Sequence, residues 1–403
     1  MIENIYPNDW TIVIMSKIFD FSGGYTATRN DLGDNGIAYL HYGDIHTSDT
    51  TILDVDKNID KIPKIDLKKE DKYSKFLLKH SDVVFVDASE DYDGVSKFIV
   101  VNNVKNIPLI SGLHTIVAKD KEKHLDINYK RYVFQEHQVR KQFMFYSAGQ
   151  KVKGINKENV KKIIIPIPPL EEQKKIANIL STWDRAIDLK DKEIKNYEKI
   201  KENIAKKMIH SYEDKSANGN GKKMKNYLDI KTIRVGMRLI EPVAVGVFGI
   251  RKRSEIFDKD LSNDLSNNKV IERNDLCFGM GTNKIVYDVL LEDSIYCVSP
   301  AYKVYKVKGC NPYYLKTYLD TYNSYLSRKH MIISARQGKS IEFNGLMNEL
   351  IYLPSIDIQN KVVDYLTKVD LKIKLLKTKH EYLKLQKKGL MQQLLTGKIR
   401  VQV

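Results

Sequence analysis

Several short loops of this chain combine glycine, hydroxyl or amide side chains with lysine and arginine. Backbone N–H groups, Lys and Arg hold phosphate oxygens, whereas Arg, Asn and Gln can read the major-groove edges of guanine and adenine. The residues that suit this chemistry are Thr26, Thr28 and Arg29; Gln150, Lys151 and Lys153; Arg251, Lys252 and Arg253; Asn283 and Lys284; and Arg336, Gln337 and Lys339. For any one loop, a solvated turn is the competing interpretation. The run 251–253 is the strongest candidate, because three adjacent cations are not expected to be buried without partners.

The motifs that could carry catalysis are weaker. Residues 311–314 read Asn-Pro-Tyr-Tyr, which invites comparison with the N-P-P-[FYW] motif of adenine methyltransferases but lacks its second proline, and Asn-Pro is also a common helix start. Residues 278–282 contain only a weak G-x-G, and no P-loop sequence occurs. His41 and His46 have no third ligand at zinc-like spacing, so packing or surface roles are favoured. We therefore expect no catalytic residue, cofactor or metal on this chain.

The charge balance favours a polyanionic partner. Lys plus Arg number 67 against 51 acidic residues, which gives a formal net charge of +16. Basic side chains that neutralise phosphates release counterions, so a nucleic acid is the favoured partner. A lysine-rich proteome is the alternative explanation, since Ile, Asn and Lys are all abundant here.

The cysteines are typical of a protein in a reducing compartment. Cys277, Cys297 and Cys310 include no C-x-x-C pair, which argues against a disulfide framework and a zinc ribbon and predicts free buried thiols. The N-terminal residues do not have the pattern of a signal peptide, and no stretch has the composition of a membrane span. We expect a cytoplasmic protein.

A long internal repeat organises the chain. Residues 165–180 and 351–366 can be aligned without a gap. The matching pairs, each 186 residues apart, are Pro168 with Pro354, Gln173 with Gln359 and Leu180 with Leu366. A repeat of this length indicates two copies of one large unit rather than a solenoid of small ones.

Each copy comprises a β-rich module and a long helix. Short apolar runs alternate with Gly, Asp and Asn turns in the modules, a helix is expected near residues 128–146, and prolines precede each long helix. The predicted segments are a first module at 1–166, a helix at 167–212, a polar linker at 213–221, a second module at 222–352 and a helix at 353–403.

Both long helices show apolar residues at spacings of three and four, which is a heptad seam. In the first helix the seam residues are Leu180, Trp183, Ile187, Ile194, Tyr197 and Ile204; in the second they are Leu366, Val369, Ile373, Leu376, Leu383 and Leu390. Lys201 and Lys387 occupy matching seam positions. A lone helix with so many charges would be marginally stable, so the two seams are expected to pack together. Sequence permits parallel or antiparallel pairing; antiparallel pairing is favoured because it creates a pseudo-twofold axis.

The order of module, proline-flanked helix, module and proline-flanked helix, with Pro-Pro-Leu-Glu-Glu-Gln at 168–173, resembles the specificity (S) subunit of type I restriction–modification enzymes. The ending Gly-Leu-Met-Gln-Gln-Leu-Leu-Thr-Gly-Lys-Ile-Arg at 389–400 is similar to that family's ending. The second copy departs from the helix-start motif, because Ser355, Ile356 and Ile358 replace Pro169, Leu170 and Glu172. The resemblance covers essentially the whole chain.

The resemblance implies two target recognition domains, each followed by a helical region. With the antiparallel pairing favoured above, we expect an α+β fold in which two mixed α/β target recognition domains are separated by two long α-helices packed as an antiparallel coiled coil. It implies a bipartite duplex DNA target and two methyltransferase (M) subunits as partners, with restriction/translocase (R) subunits joining through the complex. S-adenosylmethionine would reside on the M subunits, and ATP and Mg on the R subunits. The chain itself would bind and select DNA without catalysing a reaction. Two other interpretations stay open at this point, a stand-alone DNA nuclease or modification enzyme and a coiled-coil adaptor that binds no DNA.

Overall fold

The computed structural model describes residues 5–68, 72–90, 92–95, 97–121, 124–149, 152–216, 221–257, 264–280, 284–334 and 338–402. The chain divides into two compact units, Met1–Lys190 with Lys379–Val403, and Asp191–Thr378. Both long helices therefore contribute to both units.

The first unit is built mainly from β-strands. Its elements are β1 Thr11–Ile14, α1 Met15–Ile18, β2 Phe19–Gly23, β3 Leu32–Gly33, β4 Ile37–Leu40, α2 Tyr42–Thr47, β5 Ile52–Asp54, α3 Val55–Asn58, β6 Lys64–Ile65, β7 Val83–Val86, β8 Ala88–Ser89, α4 Tyr92–Val95, β9 Phe98–Asn102, β10 Leu109–Ser111, β11 Thr115–Asp120, α5 Ile127–Val133, α6 His137–Tyr146, β12 Lys153–Gly154, α7 Lys157–Val160, β13 Ile164–Ile167 and the start of α8 Leu170–Ser216. The sheets have the orders β2-β11-β7-β9-β5, β10-β4-β6-β3, β1-β13 and β12-β8.

The strand β7 shows why this unit needs two cores. Its four residues are all buried, and successive side chains point to opposite faces of the sheet. Val83 and Phe85 pack in a core that includes α5 and α6, whereas Val84 and Val86 pack in a second core beyond the other face. An uninterrupted apolar run is therefore the expected sequence for this central strand.

The second unit is likewise built mainly from β-strands. Its elements are the rest of α8, β14 Lys222–Lys223, β15 Leu228–Lys231, β16 Val243–Gly246, β17 Gly249–Lys252, β18 Lys269–Glu272, β19 Asp275–Phe278, β20 Tyr287–Val289, β21 Ile295–Val298, β22 Lys303–Val307, α9 Pro312–His330, β23 Met331–Ser334, β24 Gly338–Ile341, α10 Phe343–Asn348, β25 Leu350–Ile351 and α11 Ile356–Leu394. The main sheet has the order β15-β22-β19-β20, and β14-β25, β16-β17, β18-β21 and β23-β24 form two-stranded ribbons.

The repeated glutamine ties each long helix to its own module. Gln173 donates to the carbonyl oxygen of Pro168 at 2.9 Å and accepts from the backbone N–H of Asp126 at 2.8 Å. Asp126 is the N-cap of α5. Gln359 likewise donates to Pro354 at 2.8 Å and accepts from the N–H of Asn311, the N-cap of α9, at 2.8 Å. The repeated Pro and Gln therefore form one hydrogen-bonding device that occurs in both units.

The two long helices are antiparallel where they meet in each unit. In the first unit, Leu180 packs in the core that contains Leu394, and Asp184 bonds Lys387. In the second unit, Lys377 pairs with Glu198, Lys201 pairs with Asp370, and Ile209 packs in the core that contains Leu366 and Val362. Rising numbers in α8 meet falling numbers in α11, so the predicted α+β fold with an antiparallel helix pair is confirmed.

Two predicted boundaries differ from the structure. The helix expected at 128–146 is divided into α5 and α6 by residues 134–136, because the buried carboxylate of Glu136 accepts from the N–H groups of Gln138 and Val139 and starts a new helix. The helix α8 continues through Ser216, so residues 213–216, predicted to lie in the linker, are helical. Residues 217–220 lie outside the described part of the chain.

The C-terminal tail returns to the start of α8 at Glu172. Arg400 donates to this buried carboxylate from Nε at 2.8 Å and Nη2 at 2.9 Å, and Trp10 donates to it at 3.0 Å. Arg400 also bonds Asp9 and holds the pKa of that carboxyl below its usual value. The matching position in the second copy is Ile358, which packs against the core of its unit. The two copies therefore differ at this position because Glu172 binds the C-terminal tail, whereas Ile358 makes an apolar contact.

The three cysteines are free and buried, as predicted. Burial raises the pKa of the Cys310 thiol to about 12. Among the described residues, no helix combines the length and apolar composition needed to cross a membrane.

Candidate nucleic-acid interface

The loop between β2 and β3 presents Thr26 and Arg29 to solvent. It leaves the sheet at Gly24, where a Cβ atom would lie 1.7 Å from the carbonyl oxygen of Gly112, so glycine is required for this close approach. Thr28 is exposed, but its hydroxyl and N–H both donate to Asp31, at 2.8 and 2.7 Å. Of the three predicted contact residues, Thr28 therefore has a helix-capping bond, while Thr26 and Arg29 remain on the surface.

The helix α2 connects this loop to the second predicted loop of the first unit. Arg29 pairs with Asp44 of α2 at 3.0 Å. His46, at the end of α2, donates from Nε2 to the carbonyl oxygen of Ala88 in β8 at 3.0 Å, since a carbonyl can only accept. Strand β8 pairs with β12, which contains Lys153. The structure thus links Arg29 and Lys153 through one continuous set of contacts; Gln150 and Lys151 lie outside the described residues.

A cluster of aromatic rings surrounds α2 and was not anticipated from the sequence. Tyr42 lies with its ring centroid 4.5 Å from that of His41, 6.1 Å from His46 and 5.4 Å from His114. His114 in turn bonds Asp87 at 3.2 Å. Burial, followed by the nearby Arg29, lowers the pKa of His41. His114 comes from a distant position, and no sequence spacing predicts that it meets Tyr42. The described residues contain no group of three or more side chains placed to bind a metal.

The basic run 251–253 lies on a two-stranded hairpin in the second unit. Strands β16 and β17 pair from Val243 opposite Lys252 to Gly246 opposite Gly249, with Ala244 opposite Arg251. The side chain of Arg251 is exposed, and Lys252 pairs with Glu241 at 3.0 Å.

The third cation of this run, Arg253, is less open to solvent than Arg251. Arg253 is half-buried, lies 5.0 Å from the Phe257 ring, and its Nη2 atom is buried without a hydrogen-bond partner among the described residues. One nitrogen of Arg253 is therefore withdrawn from solvent where the chain enters a 3-10 helix, while the residue as a whole is only partly buried.

The loop between β19 and β20 lies beside this hairpin. A Cβ atom on Gly279 would be 2.5 Å from the carbonyl oxygen of Val245, so the two segments are in close contact. Lys284 in this loop is exposed. The structure therefore brings Lys284 to the same region as the hairpin, whereas Asn283 lies outside the described residues. The backbone of Lys339 lies in β24. Its side chain and the residues Arg336 and Gln337 lie outside the described part of the chain.

The Asn-Pro sequence at 311–312 is a helix start. Asn311 accepts from the N–H groups of Tyr313 and Tyr314 as the N-cap of α9, and Pro312 is its first residue. The hydroxyl of Tyr313 donates to Asp370 on α11. Asn311 and Tyr313 therefore make structural contacts within the second unit.

The seam lysines each meet an aspartate and a tyrosine. Asp184 accepts from Lys387 at 2.5 Å and from the hydroxyl of Tyr132 at 2.6 Å, and Lys387 lies 5.6 Å from the Tyr132 ring. Lys201, Asp370 and Tyr313 make the same set of contacts in the second unit, with Lys201 5.8 Å from the ring. Burial and then the aspartate hydrogen bond raise the pKa of Tyr132 and of Tyr313.

The predicted seam residues lie on the buried side of the helix pair to different degrees. Leu180, Ile194, Leu366, Ile373 and Leu376 are buried, and the others, which are partly buried, are Trp183, Ile187, Tyr197, Ile204, Val369, Leu383 and Leu390. Heptad spacing alone did not single out Ile209, which is buried in the core of the second unit.

Residues 7–201 match the family model described as the type I restriction modification DNA specificity domain. The chain is 28% identical over 207 residues to the putative type I restriction enzyme MjaX specificity subunit of Methanocaldococcus jannaschii, covering 50% of this chain and 46% of that protein. It is 26% identical over 302 residues to the type I restriction enzyme MjaVIII specificity subunit of the same organism, covering 67% of this chain and 70% of that one. The alignment thus spans less than half of the first relative.

The fold is similar to a solved structure over nearly its whole length. The crystal structure of a type I restriction–modification S subunit from M. genitalium matches with a TM-score of 0.53, covering 96% of this chain and 97% of that one. The sequence identity is 13%, so this likeness concerns the fold alone.

Proposed function

We propose that this chain is a specificity subunit of a type I restriction–modification system, because residues 7–201 match that family's DNA specificity domain and the relatives named above are specificity subunits. As such a subunit it binds a bipartite duplex DNA target and selects the sequence for its complex. The observation that supports this most strongly is the duplicated device in which Gln173 and Gln359 tie a long helix to a module. Two modules attached in the same way are suited to two half-sites of DNA. The net charge of +16 supports a phosphate-bearing partner.

The two modules supply the contacts in this proposal. Arg29 and Lys153 in the first unit, and Arg251 and Lys284 in the second, are positioned on loops or strand ends of a β-rich scaffold. Cations on such loops would hold phosphates and set the register, and amide or guanidinium groups would read base edges. The remaining predicted contact residues are part of the same proposal.

The chemistry of the complex belongs to other subunits. Two M subunits would bind around the helix pair and use S-adenosylmethionine, and R subunits would join through the complex and use ATP and Mg. This chain contributes recognition, and its relatives carry the name specificity subunit. The complex would act in the cytoplasm of a bacterium or archaeon.

The experiment that tests the function is exchange of one module. Residues 222–352 are replaced by the equivalent module of a relative in a host that carries the M subunit, and methylated adenines are mapped across the genome. One half of the methylated motif should change while the other half is retained. A change in both halves, or in neither, contradicts independent recognition by two modules.

A second measurement separates recognition from catalysis. The purified chain is incubated with duplex DNA and Mg²⁺, and separately with S-adenosylmethionine. We expect the chain to bind the DNA without cleaving or methylating it. The affinity should fall steeply as the salt concentration rises. Cleavage or methylation by the chain alone would favour a stand-alone enzyme, and an absence of DNA binding would favour a coiled-coil adaptor.

A further inference from the structure

The hairpin β16–β17 ends in two apolar side chains that contact solvent. Val247 and Phe248 form its tip and are 82% and 84% exposed. The preceding strand is anchored differently, because Val243 and Val245 are buried in a core of the second unit. A phenylalanine at the far end of a two-stranded ribbon contributes nothing to that core, so its side chain is available for contact with a partner.

The tip is held in one conformation by Asp288 of β20. The Asp288 carboxylate accepts from the N–H of Ile250 at 2.8 Å, and a second bond fixes its other oxygen to the N–H of Val289 at 2.9 Å. Lys316 of α9 pairs with the same carboxylate at 3.1 Å. Gly249 has φ of +83°, and a Cβ atom there would lie 2.3 Å from Asp288. Val247 and Phe248 therefore project from a preorganised turn.

The charge around the tip indicates what covers it. Arg251 lies on the outward face of the same ribbon opposite the small Ala244, and no carboxylate pairs with its side chain in the part of the chain that the structure describes. Lys284 is exposed on the adjacent loop. Two apolar side chains are a small surface for a protein partner, and such a partner would have to bring acidic groups as well. Duplex DNA offers both features at once, since stacked bases accept an apolar side chain and phosphates flank every step.

We propose that Phe248 inserts between two stacked base pairs of the target while Arg251 holds an adjacent phosphate. This inference rests on the proposed function, because it assigns one contact within the half-site bound by the second unit. Partial unstacking is easiest at flexible pyrimidine–purine steps, so the wedge adds a sequence preference at a step that no hydrogen bond reads. Val247 fills the space beside the displaced base pair.

The test uses the complete complex of this chain with its M subunits. The duplex carries the methylated motif mapped in the host, with the fluorescent base 2-aminopurine placed in turn at each position of the second half-site. Unstacking raises its fluorescence. Methyltransferases also unstack the base that they modify, so the target adenine supplies an internal control for DNA binding. The variants are Phe248→Ala, Phe248→Leu and the matched control Ile230→Ala, whose side chain is 66% exposed in β15 of the same unit.

Phe248→Ala should remove the fluorescence rise at one step, retain the rise at the methylated adenine, and weaken binding by about 10-fold or more. Phe248→Leu should retain part of the signal, because leucine is also an apolar wedge. Ile230→Ala should behave as the parent. Unchanged affinity and fluorescence in Phe248→Ala overturn the wedge while the proposed function stands. Loss of M subunits from the purified Phe248→Ala complex would overturn the wedge proposal and indicate that the tip binds a protein. A parent complex that binds no DNA would overturn both the wedge and the proposed function.

Discussion

The Nζ atom of Lys201 lies 2.6 Å from a carboxylate oxygen of Asp370, which joins the two long helices within the second unit. The residues 186 positions away, Lys387 and Asp184, form the same pair within the first unit with the helices exchanged. A lysine in a heptad seam would be costly without an anion, because burial of an unpaired charge is strongly unfavourable. Each seam lysine therefore has a matching aspartate on the other helix, and a tyrosine from the module completes the contact.

Replacement of the first of these aspartates should destabilise the helix pair. Asp184→Asn leaves Lys387, whose side chain is 17% exposed, without its counter-ion, so we expect a loss of about 1–3 kcal/mol in the free energy of unfolding. Asp370→Asn should cost less, since Lys201 is 31% exposed. Glu381→Gln, which removes an exposed pair with Lys384, is the control and should change stability by under about 1 kcal/mol. Urea unfolding measures all three, and equal losses for Asp184→Asn and Glu381→Gln would contradict the proposed role.

A charge at the buried seam position Leu180 should prevent assembly. Leu180 is fully buried with Ile176 and Leu394, so Leu180→Asp places a carboxylate in an apolar core and costs several kcal/mol or separates the helices. The matched control is Leu189→Asp, because Leu189 lies on the same helix and is 65% exposed. We expect Leu180→Asp to lose both co-purification with the M subunit and DNA binding, and Leu189→Asp to retain them. Normal stoichiometry of the M subunit with Leu180→Asp would show that the seam is not the scaffold.

The C-terminal tail should contribute to stability through one arginine. Arg400→Gln removes the cation from the buried Glu172 and leaves the carboxylate with its hydrogen bond from Trp10, so we expect a loss of about 1–3 kcal/mol in the free energy of unfolding. Lys398→Gln changes the same charge at an exposed position and should have an effect within about 0.5 kcal/mol. Thermal and urea unfolding of both variants provide the measurement. A loss of similar size for both would indicate a general charge effect.

The helices should set the gap between half-sites. Four residues inserted after Lys190 and four after Glu381 add about 6 Å to each helix, and one DNA step is 3.4 Å, so the unspecified gap should lengthen by roughly one or two base pairs. The same four residues inserted after Ser211 are the control, because Ala205 and Ile209 before this point already pack in the core of the second unit. Mapping of methylated adenines distinguishes the two. Efficient methylation with an unchanged gap in the double insertion would show that the helices do not set it.

Some failures of sequence interpretation have a specific physical cause. The break between α5 and α6 contains neither proline nor glycine, and it exists because Glu136 is buried where its carboxylate caps a new helix and accepts from Tyr6. The ring cluster around Tyr42 joins residues from separate loops. Residue types and spacing do not predict which distant loops meet, because those contacts depend on the packing of the sheets between them.

The sequence by itself determined that this chain has two copies of one unit, since residues such as Pro168 and Gln173 recur 186 positions later and identical local chemistry produces identical local structure. It also determined the two long helices, because proline flanks them and apolar residues follow a helical period. The tertiary structure alone decided that the helices run antiparallel, that the paired glutamines bond the N-cap residues of α5 and α9, and that Phe248 stands exposed at a hairpin tip. These features depend on contacts between residues far apart in the chain, and a local pattern carries no information about the partner that a side chain meets.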